Sequence, residues 1–295
     1  MLFVAMSVIW GMPYLFIKVA VEHVAPPVVV FARTGIAGAG LIVFAIRAGY
    51  VRPVLHRWRP VLLFATLEMG IPWLLLTNAE KRLPSGVSGL LVACVPLFGA
   101  FIAYGLGDHT ALRLIRVAGI AVGFGGVALL VGRDLNGSGG IPWWSVVQVM
   151  LVCVCYAIGP FIVARRLSDL PSLGVTAVAV SAVAIVFAPL AWLARPSSMP
   201  PASTLWSLLA LAVICTAIAF IVFFALIGEM GPARATLITF ANPAVAVVLG
   251  AVFLDETITG ATIAGFVLII SGVWLATRPT GAPTSSPGSS RSYSR

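Results

Sequence analysis

Three ionisable side chains, Lys18, Arg33 and Glu68, stand inside long apolar stretches of this 295-residue chain. A charge in a hydrocarbon layer is costly enough that it should face protein or a water-filled cavity, so each is a candidate for binding a substrate or carrying an ion. Lys18 sits about 3 Å from the end of the first stretch, near enough to reach the interface along its own stem. Arg33 lies about 7 to 8 Å inside the second, deep enough to bind a substrate carboxylate or to pair with an acid. Glu68 is roughly 10 Å from the near end of the third. About 12 Å of depth then separates it from Arg33 in straight helices, which argues against direct pairing. A carboxylic acid left without a cation in low dielectric favours its neutral form, which suits a proton-carrying role. The structural alternative is a neutral Glu hydrogen-bonded between helices.

Aromatic and polar residues surround these charges at spacings that suit a lined path. Trp10, Tyr14 and Lys18 recur at i, i+4 and i+8, one stripe beside Pro13. Tyr156 is the counterpart of Trp10 in the second half of the chain. The two could form aromatic walls for amphipathic or cationic ligands, with ordinary helix packing as the alternative. Thr216, near the middle of the eighth stretch, and Asn242, at about the depth of Glu68, are further candidates for polar lining. Pro13, Pro96, Pro160 and Pro243 interrupt four stretches in paired positions. Each frees a carbonyl that can bind substrate or serve as a hinge, although membrane helices also tolerate proline.

The elements that must position these residues follow from composition. The chain is 60% hydrophobic and 9% charged, against roughly 45–50% apolar and about 25% charged in soluble domains. A water-soluble globule is excluded, as is disorder. At roughly 20 residues per crossing, uninterrupted apolar windows place helices near 2–20, 28–46, 61–79, 86–105, 113–131, 145–164, 173–193, 205–226, 235–254 and 260–277. The breaks carry turn chemistry or charge, among them Ala25-Pro26-Pro27, Lys81-Arg82-Leu83-Pro84, Asp134 to Gly140 and Gly231-Pro232. The first stretch has no basic residue before its apolar run and passes straight through to Lys18, so it is read as a retained helix rather than a signal peptide. Residues 279–295, rich in Ser, Pro and Gly, are expected to form a disordered tail.

The net charge of +9 would suggest nucleic acid in a soluble protein. In a membrane protein the placement of the basic residues matters more. Arg47, Arg52, Arg57, Arg59, Arg113, Arg116, Arg165, Arg166, Arg234 and Arg278 fall on one face, and Lys18, Lys81, Arg82, Arg133 and Arg195 on the other. That bias predicts cytoplasmic termini. Superposing the halves sets Trp58 on Trp206, Pro84 on Pro232, Pro96 on Pro243, Asp108 on Asp255, Gly119 on Gly265 and Gly126 on Gly272. The repeat unit has five helices, residues 1–131 and 145–278, and five is odd, so the second copy must enter the membrane from the opposite side. Inverted repeats of this kind are the architecture of secondary transporters, with substrate near the midplane.

The four cysteines lie in apolar stretches and are read as packing, with no metal or redox role. Gly119-xxx-Gly123 and Ala261-xxx-Gly265 are close-packing patterns. The Asn136-Gly137-Ser138 sequon is of a kind that arises often by chance. His23, His56 and His109 are scattered in loops, and neither a phosphate-cradling loop nor a paired-His motif is present. No catalytic residue, metal or cofactor is expected.

Trp10-Gly11 followed by Phe16 and Lys18 resembles the entry motif of EamA-type carriers in the drug/metabolite transporter superfamily. Pro96, an acidic turn, and Gly119-Ile120 through Gly126-Val127 resemble that family's Pro, Gly-Glu and Gly-Ile…Gly-Val pattern. Pro243, Asp255-Glu256, Gly265-Phe266 and Gly272-Val273 repeat it, so the resemblance covers residues 1 to 278. The first copy departs from it, with Asp108-His109 where the family usually has Glu. The resemblance implies a ten-helix inner-membrane carrier, most often an exporter of amino acids, related metabolites or drugs. The sequence thus predicts an all-helical secondary transporter of small organic molecules, coupled to protons or to the substrate's own gradient. An uncoupled facilitator, an importer or exchanger, and a membrane enzyme acting on lipid-linked substrates are the alternatives. The expected partners are the substrate, the bilayer and protons, without nucleic acid; a homodimer is left open.

Overall fold

A computed structural model describes residues 1–107, 114–132, 142–230 and 238–277, and among them every regular element is helical. Eight helices are long and apolar enough to cross a membrane. They are α1 (Leu2–Val21), α2 (Pro26–Arg47), α3 (Trp58–Ala79), α4 (Ser85–Gly105), α6 (Trp143–Leu167), α7 (Ser172–Leu193), α8 (Ala202–Glu229) and α10 (Gly260–Thr277). Two shorter apolar helices, α5 (Leu114–Leu130) and α9 (Ile238–Phe253), bring the bundle to ten. Helices are the form these sequences must take, because in hydrocarbon every backbone N–H and C=O has to be satisfied within the segment. Proline sets several starts. Pro26 opens α2, and Pro84, Pro142, Pro171 and Pro201 immediately precede α4, α6, α7 and α8. A proline there gives up an N–H that had no helical partner anyway.

The packing obeys a pseudo-twofold. α2 pairs with α7 and α5 with α10, while α1 lies on α8 and α9 as α6 lies on α3 and α4. Exchanging the halves leaves this set of neighbours unchanged. The α5–α10 pair is a backbone-to-backbone contact. A methyl group built on Gly119 would fall 2.6 Å from the Ala276 nitrogen and 2.7 Å from the Gly272 carbonyl oxygen. Only glycine fits there, so the small-residue spacing is a packing device.

Hydrogen bonds identify the two ends of the bundle. At one, the Thr204 hydroxyl and His23 ring are 3.2 Å apart and Glu256 reaches Ser85. At the other, Arg57 pairs with Asp169 at 2.7 Å and donates to the Arg166 carbonyl at 3.0 Å. The first is called the Glu80 end below, the second the Arg57 end.

The expectation that proline interrupts four helices holds at two. Pro13 begins a new hydrogen-bonded segment after Met12, and α4 tightens at Ala93 and Cys94 just before Pro96. Pro160 and Pro243 lie inside continuous helices instead, because one missing N–H leaves the remaining ladder intact. The Cys153 thiol of α6 points at the Leu91 carbonyl, 3.4 Å away, and at that of Val92, which Pro96 cannot serve. A neighbouring helix thus partly makes good the loss. The Asp108 turn, the Asn136 sequon, the Gly231-Pro232 break and residues 279–295 lie outside the described residues.

Candidate functional site

The midsection is built on widened turns. Residues Thr66–Gly70 of α3 and Val213–Ile218 of α8 are π-helical. The shift that superposes Trp58 on Trp206 lays the first on the second and Glu68 on Thr216. In α3 the cause is local. Pro72 has no N–H for the Glu68 carbonyl, and Ile71 reaches back five residues to Thr66. In α8 the Thr216 hydroxyl donates to the Leu211 carbonyl, five residues back, at 2.8 Å. Single π turns of this kind are frequent at functional sites. A third, Val163–Leu167, carries Arg165 and Arg166 at the Arg57 end.

Arg33 of α2 enters between the α8 turn and Trp73 of α3 and is buried at 6% exposure. Its Nε donates to the Thr216 hydroxyl at 2.8 Å, and one terminal nitrogen lies 3.4 Å from the Cys215 carbonyl. The guanidinium stacks on the Trp73 ring, 3.6 Å from its centroid. The Trp73 indole reaches the Tyr156 hydroxyl, which lies within electrostatic range of both Arg33 and Glu68. Among the described residues the one ion pair is Arg57–Asp169. The buried guanidinium is therefore held by a hydroxyl, a carbonyl and an aromatic face, with no carboxylate paired to it. Such a cation is weakly compensated, and an anion arriving beside it would gain a charge-assisted, two-pronged contact.

Glu68 lies half-buried on the α3 turn, against Gly159 of α6, where any side chain larger than hydrogen would collide with its carboxylate. Its Oε2 is sealed off and has no hydrogen-bond partner among the described residues. Arg33, Trp73 and Thr216 thus form one contact group drawn from α2, α3 and α8, with Tyr156 of α6 beside Trp73 and Glu68 packed against Gly159 of the same helix.

The helix 1 stripe divides. Trp10 packs on α8, with Phe223 at 4.7 Å and Phe220 at 6.2 Å between ring centroids. Tyr14 is buried against the Gly89 position of α4. Phe220 in turn packs against the same buried cluster as Tyr156. Lys18 reaches the turn between α3 and α4. Its ammonium donates to the carbonyls of Glu80 and Leu83 at 2.8 and 2.9 Å, where the α3 dipole and the turn attract a cation. The Asn242 amide donates to the Ile238 carbonyl at 2.9 Å and the Ser7 carbonyl at 3.1 Å, tying α9 to α1.

Two participants carried no sequence signal, and a third, Glu256, stood in the acidic turn with no role assigned. Trp73 stands five residues beyond Glu68, which in a regular helix is another face, and it is Trp73 that meets Arg33. Glu80 sits one residue past the end of α3, in what reads as a charged loop. Glu256 reaches across the bundle. Its two oxygens accept the Ser85 and Gly86 amides at 2.6 and 3.0 Å, capping α4 with a carboxylate from the turn between α9 and α10.

The EamA-like transporter family matches residues 1–132 and 143–278. The inner membrane transporter YedA of Escherichia coli K12 is 28% identical over 297 residues, spanning 97% of this chain and 95% of its own. A Salmonella typhimurium protein named as an amino-acid metabolite efflux pump is 24% identical over 282 residues, 91% of each chain. A solved crystal structure at 23% identity superposes with a TM-score of 0.67 over 94% of this chain and 95% of the other, a likeness of fold alone.

Proposed function

Because the chain belongs to the EamA-like transporter family and is a multi-pass membrane transporter rather than an enzyme, we propose that it exports amino acids or closely related small metabolites by proton-coupled alternating access. Arg33 carries the substrate class. A guanidinium buried on Trp73 and Thr216, with no carboxylate of the protein paired to it among the described residues, is a receptor for a substrate carboxylate. The efflux role in the name of the Salmonella relative supports the outward direction.

Glu68 is the coupling acid. Its sealed oxygen loses a proton only when water or an incoming cationic group meets it, which links its charge to the occupancy of the site. The arginine excess at the Arg57 end supports placing that end, with both termini, in the cytoplasm. The Glu80 end then faces outward. The units 1–131 and 145–278 rock against each other, with Pro13, Pro96, Pro160 and Pro243 as points of bending and Trp10, Tyr14, Lys18, Tyr156, Thr216 and Asn242 bordering the path.

The test is metabolite profiling of the medium around cells overproducing the native chain, the Glu68→Gln form, the Arg33→Ala form, or nothing. A carboxylate-bearing metabolite should accumulate outside with the native chain alone. Enrichment that survives Arg33→Ala unchanged refutes the substrate assignment, and enrichment indifferent to Glu68→Gln and to external pH indicates an uncoupled facilitator.

A further inference from the structure

Glu80 is the most thoroughly enclosed acid among the described residues. It is 0% exposed, and neither carboxylate oxygen has a hydrogen-bond partner. Lys18 lies beside it yet donates to the backbone, holding the carbonyls of Glu80 and Leu83 while leaving the carboxyl group alone. Two of its three N–H donors are thereby occupied. The other titratable or charged groups that act on Glu80 electrostatically are Arg33 on α2, Glu256 before α10 and Tyr14 on α1, with Cys153 and Tyr156 of α6 acting in turn on Tyr14. Lys81 and Arg82, in its own turn, are exposed.

An ionised carboxylate without a donor costs several kcal/mol in such surroundings, whereas the neutral acid costs far less. Lys18 clamped on the two carbonyls is therefore compatible with a protonated Glu80. A groove lined by Arg82, Pro84, Gly86, Asp255, Glu256 and Thr259 opens beside the same turn. Burial pushes the carboxyl well above the usual carboxylate range; Lys18 pulls it back, Glu256 pushes it further up, and Arg33 pulls it down.

We propose that Glu80 is a second proton-binding site of the transporter, separate from Glu68 and placed at the far end of α3, with Lys18 as the group its charge acts on. The proton leaves to water in the groove. The carboxylate left behind draws the Lys18 ammonium from the carbonyls of Glu80 and Leu83, and the clamp on the α3–α4 turn loosens. When the proton returns, the ammonium goes back to the carbonyls. The purpose of the site rests on the proton-coupled reading above, but its existence can be tested without transport.

Infrared difference spectra of the purified protein in lipid, taken between about pH 5 and about pH 9, report protonated carboxyl groups by their C=O stretch. A carboxylic-acid band should disappear on raising the pH in the native protein, remain in Glu68→Gln and be lost in Glu80→Gln. Glu80→Asp, which keeps a titratable group should the amide variant fold poorly, should shift the band. A Glu80→Gln spectrum that superposes on the native one overturns the proposal, as does an unshifted band in Glu80→Asp. Transport indifferent to pH in vesicles that show the Glu80 band would remove the coupling reading and leave the proton site standing.

Discussion

Removing the Glu256 carboxylate should unfasten the start of α4. The two bonds to the Ser85 and Gly86 amides, at 2.6 and 3.0 Å, go to a charged acceptor, and such bonds contribute about 1.5–3 kcal/mol each. The adjoining groove admits water that can take over part of the loss, so Glu256→Ala should cost the first turn of α4 about 2–4 kcal/mol. Glu256→Gln keeps one acceptor oxygen and should cost about half as much. Hydrogen exchange read by mass spectrometry on peptides covering Ser85 to Ser88 measures this directly. If local opening governs exchange, the alanine variant should exchange roughly 30- to 700-fold faster there. Peptides from the α2–α7 pair, on the other side of the bundle, should not change. Unaltered exchange at Ser85 and Gly86 in Glu256→Ala would refute the capping account, and uniform acceleration across the protein would show a global effect instead.

Arg33→Lys should weaken substrate binding about 10- to 30-fold in an equilibrium binding assay, since an ammonium cannot stack on Trp73, bond Thr216 and still offer a two-pronged contact; unchanged affinity would count against a carboxylate at that site. Thermal stability of the native protein should fall as pH rises from the ordinary carboxylate value toward the raised one of Glu80, because over that window the folded state binds the proton and the unfolded state has lost it. Glu80→Gln should flatten that slope in detergent melts, and an equally steep slope would place its origin elsewhere.

The helices were legible because a hydrocarbon layer leaves the backbone no other form, and the starts marked by Pro26, Pro84, Pro142, Pro171 and Pro201 reinforced the apolar pattern. The two halves were legible because inverted copies keep prolines and glycines in register. Arg33, Glu68 and Thr216 stood out as charges or a hydroxyl at depth. Their neighbours did not, since nothing in the spacing of Trp73 marks it as the ring under Arg33. Lys18 looked like a group reaching for water because the acceptors that hold it, the carbonyls of Glu80 and Leu83, are backbone atoms of a turn over sixty residues away. Glu256 stood in the visible Asp255-Glu256 turn, but its target did not show: a cap supplied from the other half of the chain has no local signature.

The matched π turns in α3 and α8 also divide the labour at the centre of the bundle. They stand at the same register in the two halves, on Glu68 in one and Thr216 in the other. Different side chains make them, since the position of Pro72 in α3 is taken by Phe220 in α8, where the Thr216 hydroxyl takes the Leu211 carbonyl instead. One backbone deformation is thus reached by two chemistries, and each leaves a different group at the centre: an acid in α3, and in α8 a hydroxyl that holds Arg33.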